Sequence, residues 1–215
     1  MRIEPVTPPA EEPIDLDEAK LHLRMGGIAT QDALITSWIQ AAREQCENDV
    51  SRAFVTQTFD LFVDCFPFGG GFYLRQVREQ GPTPTNWLPR SAFLQFPRPP
   101  LQSVSVVEYV DPGGVTRTLD PGAYRVLPAS RRPGRIEPAY GTAWPSTQPV
   151  GDAVRVRFTA GYGSAAAVPK CVGVAMQLLV GHWNENREAT TDAPKKELPL
   201  GVKNALNPVR WGRYS

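Results

Sequence analysis

The chain has 215 residues, of which 41% are hydrophobic and 21% are charged, and its formal net charge is +1. This length and composition predict one globular domain, or one domain that carries an insertion, and they exclude disorder over the whole chain. The near-neutral charge also excludes a protein-wide electrostatic attraction for DNA or for an anionic membrane.

Two helices are predicted near the start of the sequence, after a flexible arm formed by residues 1–14. Asp15 and Glu18 have the spacing of a capping box, which predicts that the first helix begins there. Thr30 is the expected N-cap of a longer second helix, because apolar residues then recur at intervals of three and four. The opposite face of this helix, which includes Arg43 and Glu47, is predicted to be polar. A short glycine-containing turn joins the two helices, so we expect them to pack as a hairpin.

From Phe54 onward the apolar period changes from 3.6 to 2, which is typical of strands. The stretch 111–114 has the composition of a hairpin turn. Strand-like runs cover residues 58–65, 92–96, 104–110, 115–119, 124–127 and 154–158. Together they predict an antiparallel β sandwich or barrel, in which residues 68–90 form a long mobile loop.

A third helix is predicted from Pro169, with one apolar stripe. Beyond it, prolines and glycines interrupt a segment that still carries leucine, valine and tryptophan. The expected fold class is therefore α+β. A small helical bundle (residues 15–53 and 164–189) carries an inserted β domain (54–163) and an extended C-terminal tail (190–215).

No group of residues predicts an enzyme, a cofactor site or a metal site. His22 and His182 lack a second ligand at metal spacing. The sequence contains no nucleophile elbow, phosphate-binding loop or dinucleotide fingerprint. Asp60 and Asp64 lie on one strand face, where two exposed polar residues are a better interpretation than paired catalytic acids. Three cysteines, far apart and without a C-x-x-C spacing, predict neither a disulfide framework nor a zinc site.

Two further patterns suggest binding surfaces, and each has a plainer interpretation. Arg155 and Arg157 alternate on a strand and could form a basic rim for DNA phosphates, but a mixed polar surface is favoured. Trp87, Trp144 and Trp183 could stack sugars or bases, but packing in the core is favoured. The first residues are mostly acidic and the last mostly basic, which could orient subunits, although solvated termini are favoured.

No apolar run approaches the roughly 20 residues of a membrane span. The acidic, proline-rich start of the sequence is unlike a signal peptide. We therefore expect a protein that stays in a cytoplasm unless lysis releases it.

Four stretches, taken in order, resemble the gp6-like head–tail connector (adaptor) family of tailed phages, in its longer form with a β insertion. They are LDEAKLHLR at 16–24 followed by DALI and AAR; PRPPLQSV at 97–104; VRFTAGYG at 156–163 running into Val-Pro; and HWNENRE at 182–188 followed by LPLGV. The resemblance covers the chain from residue 15 to about residue 210.

The resemblance implies a structural protein without catalytic activity. Such connectors form a ring, typically dodecameric, beneath the portal protein and extend the DNA channel toward the tail. The implied partners are the portal, a stopper, head-closure or tail protein, further copies of the chain, and double-stranded DNA that passes without sequence-specific binding. The implied location is the head–tail junction of a virion assembled in a bacterial cytoplasm.

The resemblance also suggests that the tail binds the portal. The expected anchors are its apolar residues Leu198, Leu200, Val202, Leu206, Val209 and Trp211. Other readings of the chain are a different neck protein (stopper or tail-terminator), a carbohydrate- or nucleic-acid-binding module, and, least favoured, a hydrolase. An infectious phage, a defective prophage and a gene-transfer particle fit the sequence equally well.

Overall fold

A computed structural model describes residues 1–67, 93–129, 132–186 and 200–210. The chain divides into two compact units. The β unit contains Met1–Pro8 and Thr58–Thr159, and the helical unit contains Pro9–Gln57 and Ala160–Ser215. The predicted α+β fold class is confirmed.

The strands of the β unit form two sheets, ordered β1-β2-β8-β4-β5 and β3-β7-β6. The pairs β1/β2, β4/β5, β3/β7 and β6/β7 are antiparallel. In chain order the strands are β1 (Arg2–Thr7), β2 (Gln57–Val63), β3 (Leu94–Gln95), β4 (Leu101–Val110), β5 (Thr116–Thr118), β6 (Tyr124–Leu127), β7 (Arg135–Pro138) and β8 (Val154–Ala160).

Aromatic side chains from β2, from β8 and from the residue after β3 pack in the core of the β unit. The rings of Phe59 and Phe158 stack with their centroids 5.5 Å apart, and Phe96 lies 4.8 Å from Phe158. In β8, buried residues alternate with partly exposed ones, which is the period-2 pattern that the sequence shows.

The N-terminal residues form strand β1, whereas the sequence predicted a flexible arm. Arg2 lies opposite Phe62 in the register, and its guanidinium sits 4.1 Å from the centre of the Phe62 ring. The same guanidinium donates to the Asp152 carboxylate at 2.7 Å. Pro5 is compatible with this position, because β1 is at the edge of the sheet, where a missing N–H is tolerated.

Four α-helices lie in the described part of the helical unit. They are α1 (Leu16–His22), α2 (Asp32–Val50), α3 (Lys170–Glu185) and α4 (Leu200–Leu206). The predicted capping box at α1 is present, with Glu18 N donating to Asp15 at 2.7 Å. At α2 the N-cap is Gln31, not Thr30, so that boundary was predicted one residue early.

The C-terminal segment contains α4 and a 3₁₀ turn, Asn207–Val209, whereas the sequence predicted an extended tail. Pro208 does not break this segment, because it lies at the first positions of the 3₁₀ turn. Backbone N–H groups there have no partner within the turn, so a proline loses no hydrogen bond. Val202, Leu206 and Val209 belong to the same hydrophobic core as the buried residues of α2 and α3. The expected loop at 68–90, Leu198 and Trp211 lie outside the described residues.

Candidate functional site: the C-terminal helix and the outer face of the helical unit

The described tail residues fall into two groups. Val202 and Leu206 are 0% exposed and Val209 is 5% exposed, so these three fill the core of the helical unit. Leu200 is 73% exposed. Among the described members of the expected anchor set, Leu200 is the one whose side chain is exposed to solvent.

Close packing and an ion pair hold the C-terminal segment against the helical unit. A Cβ on Gly201 would lie 3.7 Å from Leu178 of α3, which is ordinary van der Waals contact. Arg210 forms an ion pair with Asp49 near the end of α2, and also donates to the Asp49 carbonyl oxygen at 3.3 Å. These contacts fix the segment at both of its described ends.

An exposed apolar group lies where α3 meets α4. Val174 and Leu178 are one turn apart on α3 and are 49% and 40% exposed. Leu178 approaches Gly201, the residue next to the exposed Leu200. We call Val174, Leu178 and Leu200 the outer face. Exposed apolar groups of this kind mark interaction surfaces more often than isolated exposed residues do.

A buried charge cluster ties the N-terminal part of the helical unit to α2. Arg43 is 6% exposed and forms ion pairs with Glu12 at 2.9 Å and Glu47 at 3.1 Å. Glu47 also accepts from the backbone N–H of Phe54 and from the side chain of Gln57, both at 2.7 Å. Burial raises the pKa of Glu12, and the Arg43 charge opposes that rise.

Sequence reasoning placed Arg43 and Glu47 on an exposed polar face of α2, and the structure buries both. Their separation of four residues is the usual spacing for a helical ion pair, and that was the available signal. The spacing alone does not predict that other segments bury the pair. The cluster satisfies backbone and side-chain groups of the fold, so we assign it a structural role.

A groove of about 440 Å³ lies beside this cluster, lined by the segment from Glu11 to Glu18, by α2 and by the start of α3. Its carboxylates are engaged by the protein itself. Glu11 accepts from the Ala165 backbone N–H at 2.7 Å, Glu12 pairs with Arg43, and Asp15 caps α1. The groove is therefore explained by the fold.

The arginines considered for a DNA-binding rim are paired with carboxylates in the β unit. Arg157 donates twice to Asp60, at 2.8 Å each, and this hydrogen bonding lowers the pKa of Asp60. Arg155 pairs with Glu108 at 2.7 Å and lies 3.8 Å from Asp60. Asp64 accepts from the Asp152 backbone N–H at 3.1 Å. These contacts favour a mixed polar surface over a basic rim or paired catalytic acids.

The tryptophans and histidines show no shared site among the described residues. Trp144 is 8% exposed and stacks on Phe66 in the β unit, with ring centroids 4.7 Å apart. Trp183 packs against the core of the helical unit, and Trp87 lies outside the described residues. His182 lies 3.3 Å from Asn186.

Neither a metal site nor a membrane-spanning helix is present in the described ranges. No three His, Cys, Asp or Glu side chains in them are grouped as for a metal ion. Over the same ranges, no helix is both long and apolar enough to cross a membrane.

The chain is similar over its whole length to chains in solved structures of gene transfer agent (GTA) particles. One is from the neck of an empty GTA particle computed with C6 symmetry: it is 27% identical with a TM-score of 0.73, and the match covers 100% of this chain and 98% of that one. A chain from the virion of a native GTA particle is 25% identical, with a TM-score of 0.72 and the same coverage.

A chain from the neck of a native GTA particle computed with C12 symmetry has a TM-score of 0.70 at 24% identity, again with 100% and 98% coverage. No family model and no curated protein matches the sequence. This chain and those particle chains therefore share one fold, which includes both the β unit and the helical unit.

Proposed function

We propose that the protein is a non-enzymatic structural subunit of the neck that joins head to tail in a phage-like particle. The observation that carries this proposal is the full-length match to a chain in the neck of a GTA particle. The C6 and C12 symmetries of the matched neck structures support an assembly of repeated copies, so we infer a homo-oligomeric ring. The protein would then reside in the virion, after assembly in the producing bacterial cell.

Within the neck, we propose the adaptor position directly beneath the portal. The sequence resemblance to head–tail connectors supports this position, and a dodecameric ring follows from the same resemblance. DNA passing through such a ring would meet a chain of net charge +1 whose Arg155 and Arg157 are already paired. Contacts with DNA would be independent of sequence.

We assign the portal contact to the C-terminal segment, but with fewer anchor residues than the sequence predicted. Leu200 is the exposed described anchor. Val202, Leu206 and Val209 would contact a portal only if α4 left its place on α3, and this would expose the core that they fill. We therefore assign these three residues to folding, and keep Leu198 and Trp211 as further candidate anchors.

Immunogold electron microscopy of purified particles tests the neck assignment. Antibodies against this chain should label the head–tail junction, and deletion of its gene should yield separate heads and tails. Label on the capsid surface or on tail fibres, or intact particles after deletion, would overturn the proposal. Co-sedimentation with purified portal rings then separates an adaptor from a stopper or a tail-terminator, which should not bind the portal.

A further inference from the structure

The outer face combines apolar side chains with a basic neighbour. Val174, Leu178 and Leu200 supply the exposed apolar surface. Lys170 is exposed one turn before Val174 on α3. A partner that covers this face needs an apolar centre with acidic neighbours.

Helix α1 presents such a surface on the same chain. Its buried side carries Ala19 and Lys20, and its exposed side carries Asp17, Glu18 and Leu21. Leu21 is 79% exposed, and the two acids precede it by about one turn. We call Asp17, Glu18 and Leu21 the α1 ridge.

We propose that the outer face of one copy is the docking surface for the α1 ridge of a second copy. This inference rests on the proposed ring, and it names the contact that builds it. Leu200 is then used within the ring, so the portal contact proposed above is left to Leu198 and Trp211. Apolar side chains meet at the centre, and opposite charges meet at the edges. Two outer faces packed against each other would bring lysines together, as two ridges would bring carboxylates together, so pairing unlike faces is electrostatically favoured.

A contact made once between unlike faces is heterologous, which is the type of contact that a ring requires. Each bound copy still has one outer face or one ridge available, so the contact repeats from copy to copy and closes into a ring when the rotation between neighbours allows it. A contact between like faces would stop at a dimer. In this proposal, the contacts that build the ring come only from surfaces of the helical unit.

Site-directed cross-linking in assembled particles tests the pairing. Producing cells carry two differently tagged copies, one with Leu21→Cys and one with Leu200→Cys. Mild oxidation should join the two tags in one covalent dimer. Cells with either variant alone are the matched control, because they keep the natural cysteines, and they should give no cross-linked species. A dimer from Leu200→Cys alone would overturn the proposal in favour of contact between like faces.

Competition for incorporation gives a second readout. Val174→Asp should be depleted from particles by about tenfold or more relative to wild type, since it places a charge in the apolar centre. Val115→Asp is the control, because Val115 is 54% exposed but lies in the β unit, and it should incorporate normally. Asp17→Lys and Lys170→Glu should each reduce incorporation about two- to fivefold, and co-expression of the two should restore it.

These results separate the two proposals. If wild-type chain is absent from the necks, the proposed function fails and the inference fails with it. If wild-type chain is present but Leu21→Cys and Leu200→Cys do not cross-link, and Val174→Asp incorporates as well as Val115→Asp, the docking surface is wrong while the neck assignment stands.

Discussion

Two leucines of the same short helix should differ strongly in how much stability is lost when each is replaced by alanine. Leu206 is 0% exposed and lies in the core of the helical unit, whereas Leu200 is 73% exposed. Replacing each by alanine removes the same atoms and keeps helix propensity nearly constant. Any difference between the two variants therefore reports burial.

The expected cost for Leu206→Ala is about 2–5 kcal/mol, the range for deleting a buried leucine side chain and leaving a cavity. For a protein of this size, about 1 kcal/mol corresponds to roughly 2–4 °C in melting temperature. The variant should then melt about 4–20 °C lower than wild type. Leu200→Ala should lie within about 0.5 kcal/mol of wild type, which is a shift of at most about 2 °C.

Circular dichroism melts and urea unfolding of the full chain measure both effects. Equal shifts in the two variants, or no shift in Leu206→Ala, would show that α4 is not part of the folded core. Removal of residues 200–215 should be at least as damaging as Leu206→Ala, because Val202, Val209 and the Arg210–Asp49 ion pair are lost as well. A truncated protein with the wild-type melting temperature would restore the interpretation of an independent tail.

Three other changes test the remaining contacts. Glu47→Ala leaves the buried Arg43 without its closest helical partner, and should cost about 3–5 kcal/mol in urea unfolding. Asp60→Asn should remove a contribution to the free energy of unfolding that depends on pH. The pKa of Asp60 is held low by Arg157, so its stabilisation is present above the unfolded pKa of about 3.9 and is lost as pH falls through the lower folded value. The stability gap between wild type and this variant should be full at pH 7 and close as pH falls below about 4; a gap independent of pH would contradict this. Gly161→Ala should cost about 1–3 kcal/mol or more, because φ is +127° and a Cβ would lie 2.4 Å from a backbone carbonyl oxygen; an unchanged melt would contradict this.

The elements that the sequence predicted well have strong local signals. The capping box of Asp15 and Glu18 is local, since both members lie within three residues and bond each other in the structure. The long apolar stripe of α2 and the period-2 pattern of β8 are likewise written in neighbouring residues. These patterns persist because burial on one face selects residues at the period of the element.

The errors occurred where distant contacts decide the structure. Residues 2–7 become a strand because β2 pairs with them, and their own sequence, with Pro5 in the middle, does not predict one. The C-terminal segment is too short for its periodicity to outweigh its prolines and glycines, and the surface of α3 determines that it is helical. Arg43 was predicted to lie on a polar face for the same reason. The segments that cover it are distant in sequence or follow α2, so the pattern within α2 does not show that it is buried.

The same limit applies to the candidate site, where it affects the proposed function. Sequence alone cannot separate Leu200 from Leu206, since their surroundings differ only in the tertiary structure. In the structure, Leu200 is at the surface and Leu206 is in the core, although both belong to one seven-residue helix. If the outer face is the docking surface, Leu200 is in position only while Leu206 holds α4 against α3. Assembly then depends on a completed fold, and Leu206→Ala should reduce incorporation into particles even though its side chain contacts no partner. Normal incorporation of a destabilised Leu206→Ala protein would show that folding of α4 and docking are independent.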